Sequence, residues 1–112
     1  MLDDLDAIVW EADPRTVQFS FVSQKAERLL GYPIARWLDE PGFWVNLIHP
    51  DDRERVVATC AAAVGSVRDH TFDYRVVAAD GRTVWVRDVV HVTADSQGQP
   101  ARLRGVMLDI TA

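Results

Sequence analysis

The chain has 112 residues, 48% hydrophobic and 26% charged, with a formal net charge of −5; this describes one folded domain with one core and excludes a disordered segment. Acidic and basic residues are interspersed, so no basic stripe is available to release counterions from phosphates, which argues against nucleic-acid binding. The longest apolar runs, such as Ala61 to Val64, fall far below the roughly 20 residues that span a bilayer, and the Met1-Leu2-Asp3-Asp4 start is acidic where a signal peptide is basic, so a cytoplasmic segment without membrane insertion is expected.

Residues 7 to 12, Ala-Ile-Val-Trp-Glu-Ala, alternate as a strand, and Asp13-Pro14-Arg15 supplies a turn because proline fixes φ and lacks a donor. Thr16 to Val22 reads as a second strand paired by a hairpin, with Val17, Phe19 and Phe21 on one face and Gln18 and Ser20 on the other. Ser23 is placed to N-cap a short helix over Gln24 to Leu30, which Gly31 ends in a left-handed conformation. From Ile34 to Leu47 the pattern is broken by Pro41-Gly42, which suggests one or two single-turn helices holding Trp37, Phe43 and Trp44 against the core. Pro50 at a first helical position, followed by Asp51, Asp52 and Glu54 at the positive end of the macrodipole, opens the clearest helix, Asp51 to Val64, and Gly65-Ser66 ends it. Within it, Cys60 is the one cysteine of the chain; it excludes an internal disulfide and reads as a buried small hydrophobe more readily than as a reactive thiol. Strands follow at 69 to 79, 82 to 94 and 101 to 110, separated by Asp80-Gly81 and by Ser96-Gln97-Gly98-Gln99-Pro100. Two strands, helices and three strands cannot supply right-handed βαβ crossovers throughout, so an α+β domain with a largely antiparallel sheet and helices on one face is the natural closure.

The series Ala26-Glu27-Arg28-Leu29-Leu30-Gly31-Tyr32, Trp44, His49-Pro50-Asp51-Asp52-Arg53, Tyr74-Arg75, Asp80-Gly81, Trp85-Val86-Arg87-Asp88 and Asp109-Ile110-Thr111 resembles a PAS domain of the fold-3 type, a sensory module of bacterial signalling proteins. The resemblance covers residues 7 to 111 of a single domain spanning 1 to 112. It implies a five-stranded antiparallel sheet in spatial order 2-1-5-4-3 whose helices enclose a cavity against the inner face. Matching the motifs to that fold implies that Ile8, Trp10 and Ala12, then Phe72, Tyr74 and Val76, then Val84, Val86, Asp88 and Val90, then Leu103, Gly105 and Met107 point inward. Trp10, Phe72, Tyr74, Val86, Asp88 and Met107 would then line a ligand pocket. The opposite face would carry Val9, Arg75, Trp85, Arg87, Val89, His91, Val106 and Leu108. A face that apolar needs a cover, from a second copy of the domain or a preceding helix, and Trp85, Val89, Val106 and Leu108 are its expected interface residues.

The ligand chemistries known in the family are tested residue by residue. Flavin photosensors carry an Asn-Cys-Arg-Phe run just before the long helix, where this chain has Gly42-Phe43-Trp44-Val45; haem sensors carry an axial His in the long helix, where it offers Arg53, Glu54, Arg55 and Val56. Neither a flavin adduct nor haem is expected, and with inward aromatics occupying volume any ligand should be a small metabolite. His49 precedes a helix start and is read as a cap, not a metal ligand or base, and neither His70 nor His91 is assigned a role. Asp88, a carboxylate on an otherwise apolar inward face, must either meet a polar ligand group or be satisfied internally by backbone donors or a hydroxyl such as that of Tyr74. Asp109, Ile110 and Thr111 occupy the place where, in the family, the chain passes toward an effector such as a histidine kinase of a two-component system or a cyclic-dinucleotide enzyme; Asp and Thr could equally just finish a strand. Three functions are therefore weighed: a sensor that passes a bound ligand's signal to an attached effector, a ligand-free dimerisation scaffold, and a small isomerase-like enzyme using Tyr74 and Asp88 as an acid/base pair.

Overall fold

A computed structural model of the chain describes residues 6–111, so the acidic Met1–Asp4 start lies outside the described residues. The elements follow as β1 (Ala7–Ala12), β2 (Phe19–Val22), α1 (Lys25–Leu30), α2 (Ile34–Asp39), α3 (Phe43–Leu47), α4 (Pro50–Gly65), β3 (His70–Val77), β4 (Thr83–Ala94) and β5 (Pro100–Asp109). The strands form one antiparallel sheet in the order β2-β1-β5-β4-β3, as the resemblance implies. Period-2 patterning is clearest in β4, where Val84, Val86, Asp88, Val90 and Val92 are buried and the residues between them are exposed.

The second strand departs from its sequence reading. The Asp13 carboxylate accepts from the Arg15 and Thr16 amides, its carbonyl accepts from Val17, and Asp13 N–H donates to the Gln18 carbonyl. These bonds hold 13–18 as a loop, with Val17 at φ 55, outside strand conformation, so β2 begins only at Phe19. Ala12 pairs with Phe19 but Glu11 pairs with Phe21, leaving Ser20 as the extra residue of a bulge. One inserted residue reverses parity, so Phe21 turns out to the solvent side while Phe19 and Val22 enter the core.

Capping is half as read. Ser23 spends its hydroxyl on the Val9 amide, so Gln24 stands at the N-cap of α1 without a side-chain bond. Gly31 ends α1 at φ 85, and at α4 the His49 Nδ1 accepts from the Asp51 amide ahead of Pro50, the capping role expected of it.

The helices close over the inner sheet face around Trp37, which is fully buried and packs on Phe43 and Phe19 with ring centroids 4.7 and 5.5 Å away. Such aromatic pairs contribute about 0.5–1.5 kcal/mol each beyond their buried area. The β3 edge is covered by the chain entering α4: Ile48 bridges Val76, His49 N–H donates to the Arg75 carbonyl, and Arg75 N–H donates to the Asp52 carboxylate. At the other edge β2 is four residues long. Neither edge offers a long open ladder for another strand.

Candidate functional site

Two places on this frame carry functional potential: the interior between helices and sheet, and the uncovered outer face of the sheet.

The interior is organised by Asp88, which is 2% exposed at the middle of β4. Its Oδ2 accepts from the Tyr74 hydroxyl at 2.6 Å and its Oδ1 from Trp10 Nε1 at 3.2 Å, while Trp44 Nε1 donates to the Tyr74 oxygen at 2.9 Å. Tyr74 is the internal partner anticipated for Asp88; the two tryptophan donors were not read, because no local pattern announces which indole N–H reaches across strands 78 residues apart in the chain. Burial raises the Asp88 carboxyl to about 7 against the lowering effect of Tyr74 and Trp10. Burial, then the adjacent Asp88 charge, drives the Tyr74 hydroxyl well above its usual range. The Cys60 thiol, also buried, is pushed up to about 11 by burial first and Asp88 second, which suits a packed small hydrophobe and not a nucleophile.

These side chains leave little space. A cavity of about 10 Å³ remains, with Trp10, Trp44, Cys60, Asp88 and Met107 among its walls. Of the six residues read as pocket-lining, Trp10, Asp88 and Met107 border it. Tyr74 and Val86 are buried in the surrounding core. Phe72 departs from the expectation: it packs against the core but is only half-buried, near the start of edge strand β3, with its ring tilted against those of His70 and Tyr74. Gly105 holds the indole in place from below. It pairs with Trp10 in the β1–β5 register, and a Cβ there would overlap the Val89 carbonyl oxygen and lie 2.9 Å from the Trp10 ring.

The outer face is apolar in a band. Val9, Val106 and Val89 stand in one row across β1, β5 and β4, and Ala7, Leu108 and Arg87 form the adjacent row. Val9, Phe21, Trp85 and Val89 are 47, 46, 42 and 40% exposed, whereas Val106 and Leu108 are half-buried. Val9, Phe21, Val89 and Val106 border a shallow groove of about 410 Å³. Phe21 joins this band only because of the bulge. Arg75, the cross-strand partner of Trp85, lies on this face with its guanidinium 5.5 Å from the Trp85 ring centroid while it grips Asp52 at 2.7 and 3.0 Å. Those Arg75 hydrogen bonds, opposed by burial, hold the Asp52 carboxyl down at about 2. Polar pairs flank the band, with Arg87 on Asp73 at 2.9 Å and His91 on Asp69 at 2.8 Å.

Residues 109–111 are tied to strand β4, which carries Trp85 and Val89. Ile110 N–H donates to the Trp85 carbonyl, the Thr111 hydroxyl accepts from Trp85 N–H at 2.7 Å, and Asp109 Oδ1 accepts from Thr111 N–H. No group of three or more metal-binding side chains occurs among the described residues, nor does a helix long and apolar enough to cross a membrane.

The geometry has clear counterparts. The N-terminal domain of a diguanylate cyclase with a PAS/PAC sensor from Marinobacter aquaeolei superposes with a TM-score of 0.87 at 39% identity, covering 94% of this chain and 95% of that one. A sensory box histidine kinase/response regulator from Burkholderia thailandensis gives a TM-score of 0.78 at 28% identity over 98% of this chain and 81% of its own. The methyl sulfide methyltransferase-associated sensor of Methanosarcina acetivorans is 29% identical over 92% of this chain. The chain spans a tenth or less of the length of the curated relatives it matches. A family model described as PAS fold matches residues 19–107, from the first residue of β2 to the Met107 that closes the interior, and the chain belongs to that family.

Proposed function

We propose that this domain is a cytoplasmic regulatory module of a signalling protein that works through its outer sheet face, pairing with a second copy of itself, and relays the arrangement of that face to an attached effector. The observation that carries this reading is the contrast between the two faces. The inner one is packed with its own side chains around a small cavity of about 10 Å³, while the outer one exposes Val9, Phe21, Trp85 and Val89. Monomeric proteins rarely leave a large contiguous apolar patch wet. Both strand edges are covered or short, so a second copy has the face, and not an edge, to dock on. The flanking Arg87–Asp73 ion pair gives that face both signs of charge, which suits a self-complementary contact.

Asp109, Ile110 and Thr111 form the output in this reading. They are bonded to the backbone of Trp85, whose ring is part of the exposed band, so a change in how the band is covered reaches the exit within one residue. The similarity to a diguanylate cyclase sensor and to a sensory histidine kinase supports an effector of the cyclic-dinucleotide or kinase type. A metabolite-sensing role requires the interior to open. The acid/base reading of Tyr74 and Asp88 lacks support, because the pair is bonded to itself and to two tryptophans with no room between for a substrate.

Sedimentation at micromolar concentration tests the proposal. Self-association of the wild type that Trp85→Glu weakens is the expected result; the substitution leaves the backbone bonds to the exit segment in place. A wild type that is monomeric throughout sinks it.

A further inference from the structure

We propose that Arg75 couples the start of α4 to the outer face and to residues 110–111 around the β3 edge, its guanidinium holding the Trp85 ring in place from an anchor on Asp52. This holds whichever way the outer face is covered, and it carries the influence of the helical layer around the sheet instead of through the packed interior.

The warrant is one transverse row of the sheet. In an antiparallel ladder the opposed pairs alternate between those that exchange backbone hydrogen bonds and those that do not, whose side chains stand closer. Arg75 and Trp85 are directly opposed, and each turns its backbone groups away from the other. Arg75 N–H donates to the Asp52 carboxylate at 2.9 Å, and its carbonyl accepts from His49 N–H at 2.8 Å. Trp85 N–H donates to the Thr111 hydroxyl at 2.7 Å, and its carbonyl accepts from Ile110 N–H at 2.9 Å. The row thus runs from residues 49–52 through Arg75 and Trp85 to residues 110–111. Within it, the step from Arg75 to Trp85 is made by side chains alone.

Arg75 suits that step. Asp52, only 6% exposed, accepts from Arg75 Nη2 and Nε at 2.7 and 3.0 Å, a two-point grip that fixes the plane of the guanidinium. The same group stands 5.5 Å from the Trp85 ring centroid, within cation–π reach. A planar fork engages a carboxylate through two N–H groups and an aromatic ring through its face at once, whereas an ammonium is a point charge that fixes no orientation. Moving Asp52 therefore turns the guanidinium, and the guanidinium moves both a ring of the exposed band and the strand residue that holds Ile110 and Thr111.

A double-mutant cycle read by NMR of the 15N-labelled chain at neutral pH tests the coupling, with the Trp85 indole N–H and the Ile110 and Thr111 amides as reporters. Asp52→Asn should move all three by more than a linewidth, although Asp52 lies beyond the β3 edge from them. Arg75→Lys, which leaves Asp52 a cation but removes the fork, should move the same three, and Asp52→Asn added to Arg75→Lys should move them no further. Where Asp52→Asn does not fold, Asp52→Glu keeps the charge, lengthens the tether and takes its place in the cycle. Reporters that stay put in the folded Asp52 variant overturn the proposal. So do reporters that respond to it equally in the Arg75→Lys background. A monomeric wild type would refute the outer-face reading without touching this test, because the reporters read a monomer equally well.

Discussion

Replacing Gly105 by alanine tests the packing that fills the interior, and its consequence follows from the register. Gly105 lies opposite Trp10 on β1 and Val90 on β4. A methyl group there would overlap the Val89 carbonyl and press on the Trp10 ring at 2.9 Å, closer than carbon contacts allow. The carbonyl is backbone and cannot turn aside, so β4 and β5 must separate or the indole must leave its place. Displacing the indole also stretches its 3.2 Å bond to Asp88. Overpacking of this kind costs about 1–3 kcal/mol, or more where backbone must move. For a domain of about 100 residues that lowers Tm by roughly 4–8 °C per kcal/mol. Gly65, at the end of α4 where an added methyl would meet nothing within 4 Å, is the matched control: Gly65→Ala should be neutral or stabilising by up to about 1 kcal/mol, since alanine has less backbone freedom to lose. Urea unfolding of the two variants and the wild type reads both effects. Equal stability of Gly105→Ala and the wild type would show that Trp10 does not lie over this glycine and that the interior is looser than described.

Stability should depend on pH with two opposite limbs. Asp88 is raised in the folded state from 3.8 to about 7, so its contribution is fully present below pH ~4 and is lost as pH rises toward 7; a slope of that sign between pH 5 and 8 should vanish in Asp88→Asn. Asp52 is lowered to about 2, so its contribution is present above pH ~4 and is lost as pH falls from 4 toward 2, a limb that Asp52→Asn should remove. Thermal melts over pH 2–8 read both, and a wild type whose Tm rises steadily from pH 5 to 8 contradicts the first assignment. The purified chain should also be colourless, since the sequence offers neither a cysteine ahead of the long helix nor a histidine at Arg53 to Val56; a visible absorption band that survives gel filtration would refute that reading.

Much of this was legible in the residues. The motif resemblance placed Asp88 inward without any structure, since once the family fold orients the fourth strand, parity along a strand without a bulge fixes every side chain from one of them. The helix start at Pro50 and the cap at His49 were equally local. What failed was non-local. Phe21 was placed on the same face as Phe19 by period-2 counting, and a bulge at Ser20 that no side chain announces separated them, Phe19 buried and Phe21 exposed. Ser23 had the composition of a cap, but a strand amide from Val9, 14 residues earlier, took its hydroxyl. The interior was foreseen as narrowed by Trp10, Phe72 and Tyr74, whereas the fold achieves it with Trp10, Tyr74 and Trp44, because an edge strand leaves Phe72 half-exposed while α3 carries Trp44 in from the other layer.

Native mass spectrometry of the chain purified from cells bears most directly on the central claim that the outer face works and the interior is self-filled. The account predicts a species of two chains at the bare polypeptide mass, shifted to one chain by Trp85→Glu. A single chain carrying additional non-covalent mass, unchanged by that substitution, would contradict it.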